Sequence, residues 1–380
     1  MEREDLRDPK ATAQRSKPTQ MQQAWDIADL PDAMAHWHPD WNWVELMQVR
    51  IRESYRQRPS ELSWVFDKLE LEDLCNAVGG SDVTVPRIAA WYAGEERGLW
   101  ESGVLAAVRR GTPLVVKPTH GSQAVAVIAF ESPRDVGPAV VRDAVDAALS
   151  AEPDRTEPWM LTSLRRGVLV QQLYESEVPC VMTQPPYRCP LELKVQTLFG
   201  RVICGTVRAF PWQVIVLPDG TVHRWAATRV VQKKGLPKAW RVTWGTPVSP
   251  QSLAALREVL ARDWQHIAAL SVTIAIASRL DEVRIDWLLG DPRLGPRVGE
   301  LQYIGAAGNI RPELSSLFCR AFLRGHRLHA EAQGGDASRP SKWRPAASKS
   351  GTGASGRNEV ADSSWKSPES DEDTLGVEYE

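Results

Sequence analysis

The chain has 380 residues, 43% of them hydrophobic and 25% charged, with 46 Lys+Arg against 48 Asp+Glu and a formal net charge of −2. This balance fits a soluble chain able to bury one large or two medium cores, and it argues against nucleic acid as a partner, since such binders usually show a basic excess or stripe. No apolar run reaches the roughly 18 residues of a membrane span, and Met1-Glu2-Arg3-Glu4-Asp5 opens no secretory core, so no membrane partner and a cytoplasmic location are expected.

Residues 1–24 are polar and aperiodic and are expected to be disordered. Residues 25–110 are expected to form a helical N-terminal region: Trp37, Trp41, Trp43 and Leu46 stand among charges, and Asp67-Lys68 opens a helix after Trp64-Val65-Phe66. His36 and His38 flank Trp37 without a third ligand nearby, and read as part of a packed tryptophan-rich surface, not a metal clip. The five cysteines, Cys75, Cys180, Cys189, Cys204 and Cys319, form no Cys-x-x-Cys pair and read as reduced thiols.

From residue 111 to 330 strands take over. Pro113–Pro118 and Ala124–Phe130 are β-branched runs joined by Thr119-His120-Gly121-Ser122-Gln123, which predicts a hairpin with a polar tip. A helix begins near Asp135, and Val168–Leu173, containing Gln171 and Gln172, reads as a third strand. Leu191–Phe199 pairs through Gly200-Arg201 with Val202–Arg208, and period-two alternation puts Glu192, Lys194 and Gln196 on one face and Leu191, Leu193 and Val195 on the other. Leu253, Leu256, Leu260, Trp264 and Ile267 give Gln251–Leu270 a helical period. Residues 331–380, rich in Gly, Ser, Ala and Pro with an acidic end, are expected to form a disordered tail.

Asp286 in Val283–Leu289 and Glu300 in Val298–Tyr303 interrupt two consecutive apolar strands. A carboxylate in such a strand costs several kcal/mol to desolvate unless it is paired or bound to a cation, so two facing ones across a short loop suggest Mg²⁺.

Taken in order, the words Phe66-Asp67-Lys68, Val115-Val116-Lys117-Pro118-Thr119-His120-Gly121-Ser122, Val170-Gln171-Gln172-Leu173, Lys194–Gly200 and Val283-Arg284-Ile285-Asp286 with Gly299-Glu300-Leu301 resemble the ATP-grasp superfamily. The likeness is to its TupA-like branch, associated with teichuronopeptide and polysaccharide biosynthesis, and covers about residues 60 to 325. It implies an α+β fold in which two subdomains with antiparallel sheets clasp ATP. Lys68, Lys117, Lys194 and the turn His120-Gly121-Ser122 would then meet the phosphates, Gln171, Gln172 and Leu173 the adenine edge, and Glu192 the ribose. Asp286, Glu300 and Gln302 would hold Mg²⁺, with Arg208 and Arg284 stabilising the transferred group. Gln302 stands where many members have Asn, and a single Gly121 stands where several have a longer glycine run.

The implied activity is ATP-dependent ligation: a carboxylate is phosphorylated, then attacked by an amine. A kinase acting on a sugar or other small-molecule hydroxyl, and an ATP-binding scaffold without turnover, are the alternatives. The acceptor, small molecule or polymer, and the oligomeric state are not specified by the sequence. The loops 175–190 and 211–245 are where an acceptor would bind, although Trp212, Trp225, Trp240 and Trp244 there read as core cover.

Overall fold

Asp67 sets the first element. Its backbone is extended and its carboxylate accepts from the amides of Leu69 at 2.9 Å and Glu70 at 3.4 Å, capping helix α1, Lys68–Gly79. The computed structural model describes Trp43 and residues 63–96, 98–121, 125–152, 164–178, 190–207, 214–224 and 250–303, with positions 315, 317–322, 324, 325 and 328. Both expected disordered ends, His36, His38, Ser122, Arg208 and the four loop tryptophans lie outside these residues. All of the described residues belong to one unit, Met1–Ala346.

After α1 come strand β1 (Arg87–Tyr92), a π-helical turn Trp100–Leu105 running into α2 (Ala106–Arg110), then β2 (Leu114–Pro118), β3 (Ile128–Phe130), α3 (Pro133–Ser150) and β4 (Gly167–Gln172). The strands form an antiparallel sheet in the order β1-β4-β2-β3. Trp91, Val116, Val168 and Val170 pack from this sheet against Val104, Val108, Val141 and Val145 of the helices.

Strand β1 is a β element inside region 25–110, where a helical N-terminal region was expected. In Arg87-Ile88-Ala89-Ala90-Trp91-Tyr92 the paired alanines dilute the β signal, and pairing with β4 decides the conformation. Strand β3 is also shorter than expected: Ala126 is left-handed (φ 54°), and the ladder starts only at Val116 opposite Ile128.

The second sheet holds β5 (Leu191–Leu198), β6 (Arg201–Val207), β7 (Val214–Val216), β8 (Val222–Arg224), β9 (Glu282–Leu289) and β10 (Arg297–Gln302), in the antiparallel order β10-β9-β5-β6-β7-β8. Phe199 (φ 47°) and Gly200 (φ 74°) make the β5–β6 connection, two left-handed residues in succession that match the strand twist. Helix α4, Pro250–Ser278, runs longer than the expected Gln251–Leu270 and covers one face of the sheet. There Leu193, Val195, Ile285 and Trp287 meet Leu256, Leu260, Trp264 and Ile267. Each such fully buried side chain contributes on the order of 2 kcal/mol.

The architecture is therefore α+β, with two antiparallel sheets. Helix α1 bridges them: Leu71 and Cys75 pack into the core of the larger sheet, while the Lys68 amide donates to Thr119 O at 3.0 Å beyond the end of β2. Among the described residues no helix is long and apolar enough to cross a membrane.

Candidate functional site

Between the sheets lies a narrow cleft, partly open to solvent. Helix α1 gives it Lys68, Leu71, Glu72 and Cys75, whose i, i+3, i+4, i+7 spacing is one helical face. Lys117, Leu169 and Gln171 enter from the smaller sheet, and Gly299 and Glu300 from β10.

The larger sheet turns its polar face toward the same space. Lys194 on β5 stands opposite Asp286 on β9, which stands opposite Glu300 on β10, so three charged residues form a row across adjacent strands. A bulge produces that alignment: the register runs Val298 to Trp287 and then Glu300 to Asp286, skipping Gly299. Without it Glu300 would pair with Ile285 and point into the apolar core.

Asp286, 2% exposed, accepts from Lys194 Nζ at 2.7 Å and from Arg284 Nε and a terminal nitrogen of the same guanidinium at 2.7 and 2.8 Å. Burial alone would raise its carboxyl, but the Arg284 and Lys194 charges outweigh that and hold it below the usual carboxylate range. Arg284 is thus committed to Asp286 instead of projecting freely. Lys194 Nζ also lies 3.3 Å from Glu192, whose side chain is 44% exposed at the rim.

Lys68 Nζ donates to Gly121 O and lies 3.8 Å from Glu300. Lys117 has no hydrogen bond or ion pair to its ammonium among the described residues; burial first, then the neighbouring Lys68 charge, bring it down to about 8, against the pull of Glu300, Glu72 and Glu192. Two ammonium groups and Glu300, the end of the charged row, therefore line one cleft.

The turn after β2 divides its expected roles. A Cβ on Gly121 would meet Pro118 Cγ at 2.4 Å, so a glycine is needed where the Lys68 ammonium anchors. His120 faces inward: its Nδ1 accepts from the Gly167 amide at 3.2 Å, which makes Nε2 the protonated nitrogen that donates to Ala151 O at 2.9 Å. Both ring nitrogens are used by the backbone, leaving neither for a phosphate.

At the other end of the cleft Gln171 Nε2 donates to Val85 O at 3.3 Å. The amides of Gln172 and Leu173 donate to Pro86 O and Pro113 O, each at 3.0 Å, so the main-chain donor expected from Leu173 is engaged within the protein. Sequence reasoning missed Glu72 and Thr84. Glu72, 5% exposed, stands four residues after Lys68, and that spacing was the available signal. Burial pushes its carboxyl up, with Arg87 opposing.

Among the described residues no group of three or more His, Cys, Asp or Glu comes together to hold a metal unaided. Asp286 and Glu300 with the Gln302 amide are nevertheless hard oxygen donors. Three of the roughly four lone-pair positions of Asp286 are taken, while among the described residues Glu300 has only the long contact to Lys68. Such a set fits Mg²⁺, which keeps few protein ligands and completes its shell with phosphate oxygens and water.

No family model and no curated protein matches the chain. Among solved structures it is similar to the D-cycloserine synthetase DcsG, at 19% identity and a TM-score of 0.38, covering 74% of this chain and 80% of that one. It is also similar to D-alanine–D-alanine ligase from Bacillus anthracis complexed with ATP (12%, TM-score 0.35, covering 70% and 67%) and to that from Coxiella burnetii (12%, TM-score 0.39, covering 72% and 62%). At these scores the likeness is loose.

Proposed function

We propose that the chain is an ATP-grasp enzyme that binds ATP with Mg²⁺ in this cleft and activates a carboxylate as an acyl phosphate for attack by an amine. One observation carries the reading: the Lys68 and Lys117 ammoniums line a narrow cleft with the Glu300 carboxylate, which stands opposite Asp286 on the neighbouring strand. A polyphosphate needs cations around it, and a divalent ion bound to it needs acids, and few other ligands need both at once.

Lys68 and Lys117 would hold phosphate oxygens. Asp286, Glu300 and Gln302 would hold Mg²⁺, which when bound neutralises phosphate charge. Lys194 and Arg284 keep Asp286 ionised and fixed in place. The Gln171–Leu173 end of the cleft would receive the base, and Glu192 the ribose hydroxyls. In the reaction an oxygen of the acceptor carboxylate attacks the γ-phosphorus and ADP leaves; the amine nitrogen then attacks the acyl carbon and phosphate leaves. The motif order supports the TupA-like branch, and with it an acceptor drawn from polysaccharide biosynthesis in the cytoplasm.

The test is calorimetric titration of Mg·ATP into the full chain and its Lys117→Ala and Glu300→Ala forms, each checked for folding. Micromolar binding that both substitutions abolish supports the site, and no binding to the folded wild type overturns it. Acceptor-dependent phosphate release then supports the ligase, a stable phosphorylated product the kinase, and a raised melting temperature without turnover the scaffold.

A further inference from the structure

The Asp67 carboxylate does more than cap α1. A single oxygen, Oδ1, accepts from both capping amides, those of Leu69 and Glu70. The cap therefore has no need of Oδ2, and that oxygen accepts instead from the Tyr92 hydroxyl at 3.0 Å, at the end of β1. Asp67 is only 3% exposed, so water competes little for this bond.

A ring of links closes around the root of Lys68. Its amide donates to Thr119 O at 3.0 Å, and the Thr119 amide donates to Gly167 O at 3.0 Å. Gly167 lies opposite Tyr92 across β4 and β1, and Tyr92 returns to Asp67. Gly167 permits the closure: a Cβ there would meet Tyr92 Cδ1 at 2.9 Å and Thr119 Oγ1 at 2.8 Å. The Tyr92 ring is itself held, with the Arg165 guanidinium 3.9 Å from its centroid and Arg165 paired to Glu95 at 2.6 Å. Lys68 is thus tied on two sides, by its own amide and by the preceding side chain, to the turn whose Gly121 O receives its ammonium.

Fixing a lysine ammonium already costs about 2 kcal/mol of rotamer freedom, and a ligand that had also to order the backbone at residue 68 would bind more weakly still. Leu71 and Cys75 anchor α1 in the larger core without help from the hydroxyl. The tie at Asp67 therefore gives direction to Lys68 more than it gives stability to the helix. We propose that Tyr92 is a positioning residue for Lys68: by holding the second oxygen of the Asp67 cap, it aims the Lys68 ammonium at the phosphate chain. The inference rests on the nucleotide reading above. Tyr92 does not line the cleft, so its effect passes through Lys68.

The experiment titrates Mg·ATP and Mg·tripolyphosphate, which lacks the nucleoside, into the full chain and its Tyr92→Phe and Asp67→Ser forms, each also combined with Lys68→Ala. Serine keeps a capping oxygen but has none to spare for Tyr92, so it separates the tie from the cap. Both substitutions are expected to weaken both ligands by roughly 3- to 10-fold, the scale of one hydrogen bond. Added to Lys68→Ala, either should change affinity by less than about twofold, because each acts only through that lysine. Where Lys68→Ala binds too weakly to titrate, the NMR signal of the Lys68 ε-carbon decides: its shift at saturation with Mg·tripolyphosphate should be smaller in the variants than in the wild type. Unchanged affinity in either folded variant, an equal loss with and without Lys68, or an unaltered ε-carbon shift overturns the role of Tyr92 alone. No binding of ATP or tripolyphosphate to the wild type overturns the phosphate site, and the proposal with it. Either variant suffices where the other fails to fold.

Discussion

Lys194 and Asp286 face each other across β5 and β9, and their side chains meet at 2.7 Å beneath the cleft. Because Arg284 also closes on Asp286, one carboxylate serves two buried cations. Asp286→Asn removes the counter-charge of Arg284 and leaves Lys194 only the Glu192 carboxylate at 3.3 Å, and a loss of about 3–5 kcal/mol in denaturant titration is expected. The apolar replacement Lys194→Met/Arg284→Met/Asp286→Leu should recover most of that loss, since it leaves no charge stranded. An Asp286→Asn protein as stable as the wild type would show that the three groups are not buried together. The folded carboxyl is held low, so its stabilisation is present above the unfolded carboxylate value and lost as pH falls through the folded one. Below about pH 4 the wild type should therefore lose stability more steeply than Asp286→Asn.

Lys117 behaves in the opposite sense. Its folded value is lowered from 10.5 to about 8, so between those values the unfolded chain binds a proton that the folded chain does not, and stability rises with pH. Subtracting the stability of Lys117→Met from that of the wild type over pH 7 to 11 isolates the effect from other lysines. The difference should move in favour of the wild type above about pH 8. At pH 7 Lys117→Met should melt higher than the wild type while losing Mg·ATP, as expected of a cation kept for a ligand and not for the fold. A flat difference curve would mean that the ammonium is well solvated.

Gly121 and His120 are neighbours with separable roles. In Gly121→Ala the new methyl would meet the Pro118 ring at 2.4 Å, shifting the carbonyl that holds the Lys68 ammonium. The expectation is a loss of about 1–3 kcal/mol together with weaker Mg·ATP binding. His120→Ala instead leaves the Gly167 amide without its acceptor, for a similar loss of about 1–3 kcal/mol, but Mg·ATP affinity should stay within about threefold. Equal losses of affinity in the two variants would return His120 to the phosphate site.

The polar row was legible in the sequence because alternation in β5 and the acids in β9 and β10 assign faces without any long-range information. Its supports were not. The bulge at Gly299, which makes Glu300 face Asp286, depends on pairing with β9, and the commitment of the Leu173 amide depends on Pro113, remote in sequence. Strands β7 and β8, three residues each, are too short to show a period. Glu72 looked like any polar residue on an exposed helix face until the second sheet closed over it, and the inward turn of His120 is set by Gly167 and Ala151.

Asp291, fully buried in the β9–β10 connection, ties the chain leaving β4 to the strands that carry the acids. It accepts from the amides of Glu175 at 3.1 Å, Arg293 at 2.8 Å and Leu294 at 3.1 Å, and these, with the Arg293 guanidinium, hold its carboxyl low despite the opposing effect of burial. Tyr174 completes the knot: its hydroxyl accepts from the Asp291 amide at 3.2 Å and reaches Gly295 O at 2.7 Å. Loosening this knot should let the segment after Leu173 drift relative to Asp286 and Glu300 without altering any cleft side chain. Tyr174→Phe, which loses only the hydroxyl, is expected to cost about 1 kcal/mol, and Asp291→Asn, which gives up charge-assisted bonds, about 2–3 kcal/mol. Amide exchange should quicken at residues 174–178 in both, and Mg·ATP affinity should fall in the same order. Faster exchange with unchanged affinity would show that this connection does not set the spacing between the base end of the cleft and the acid row.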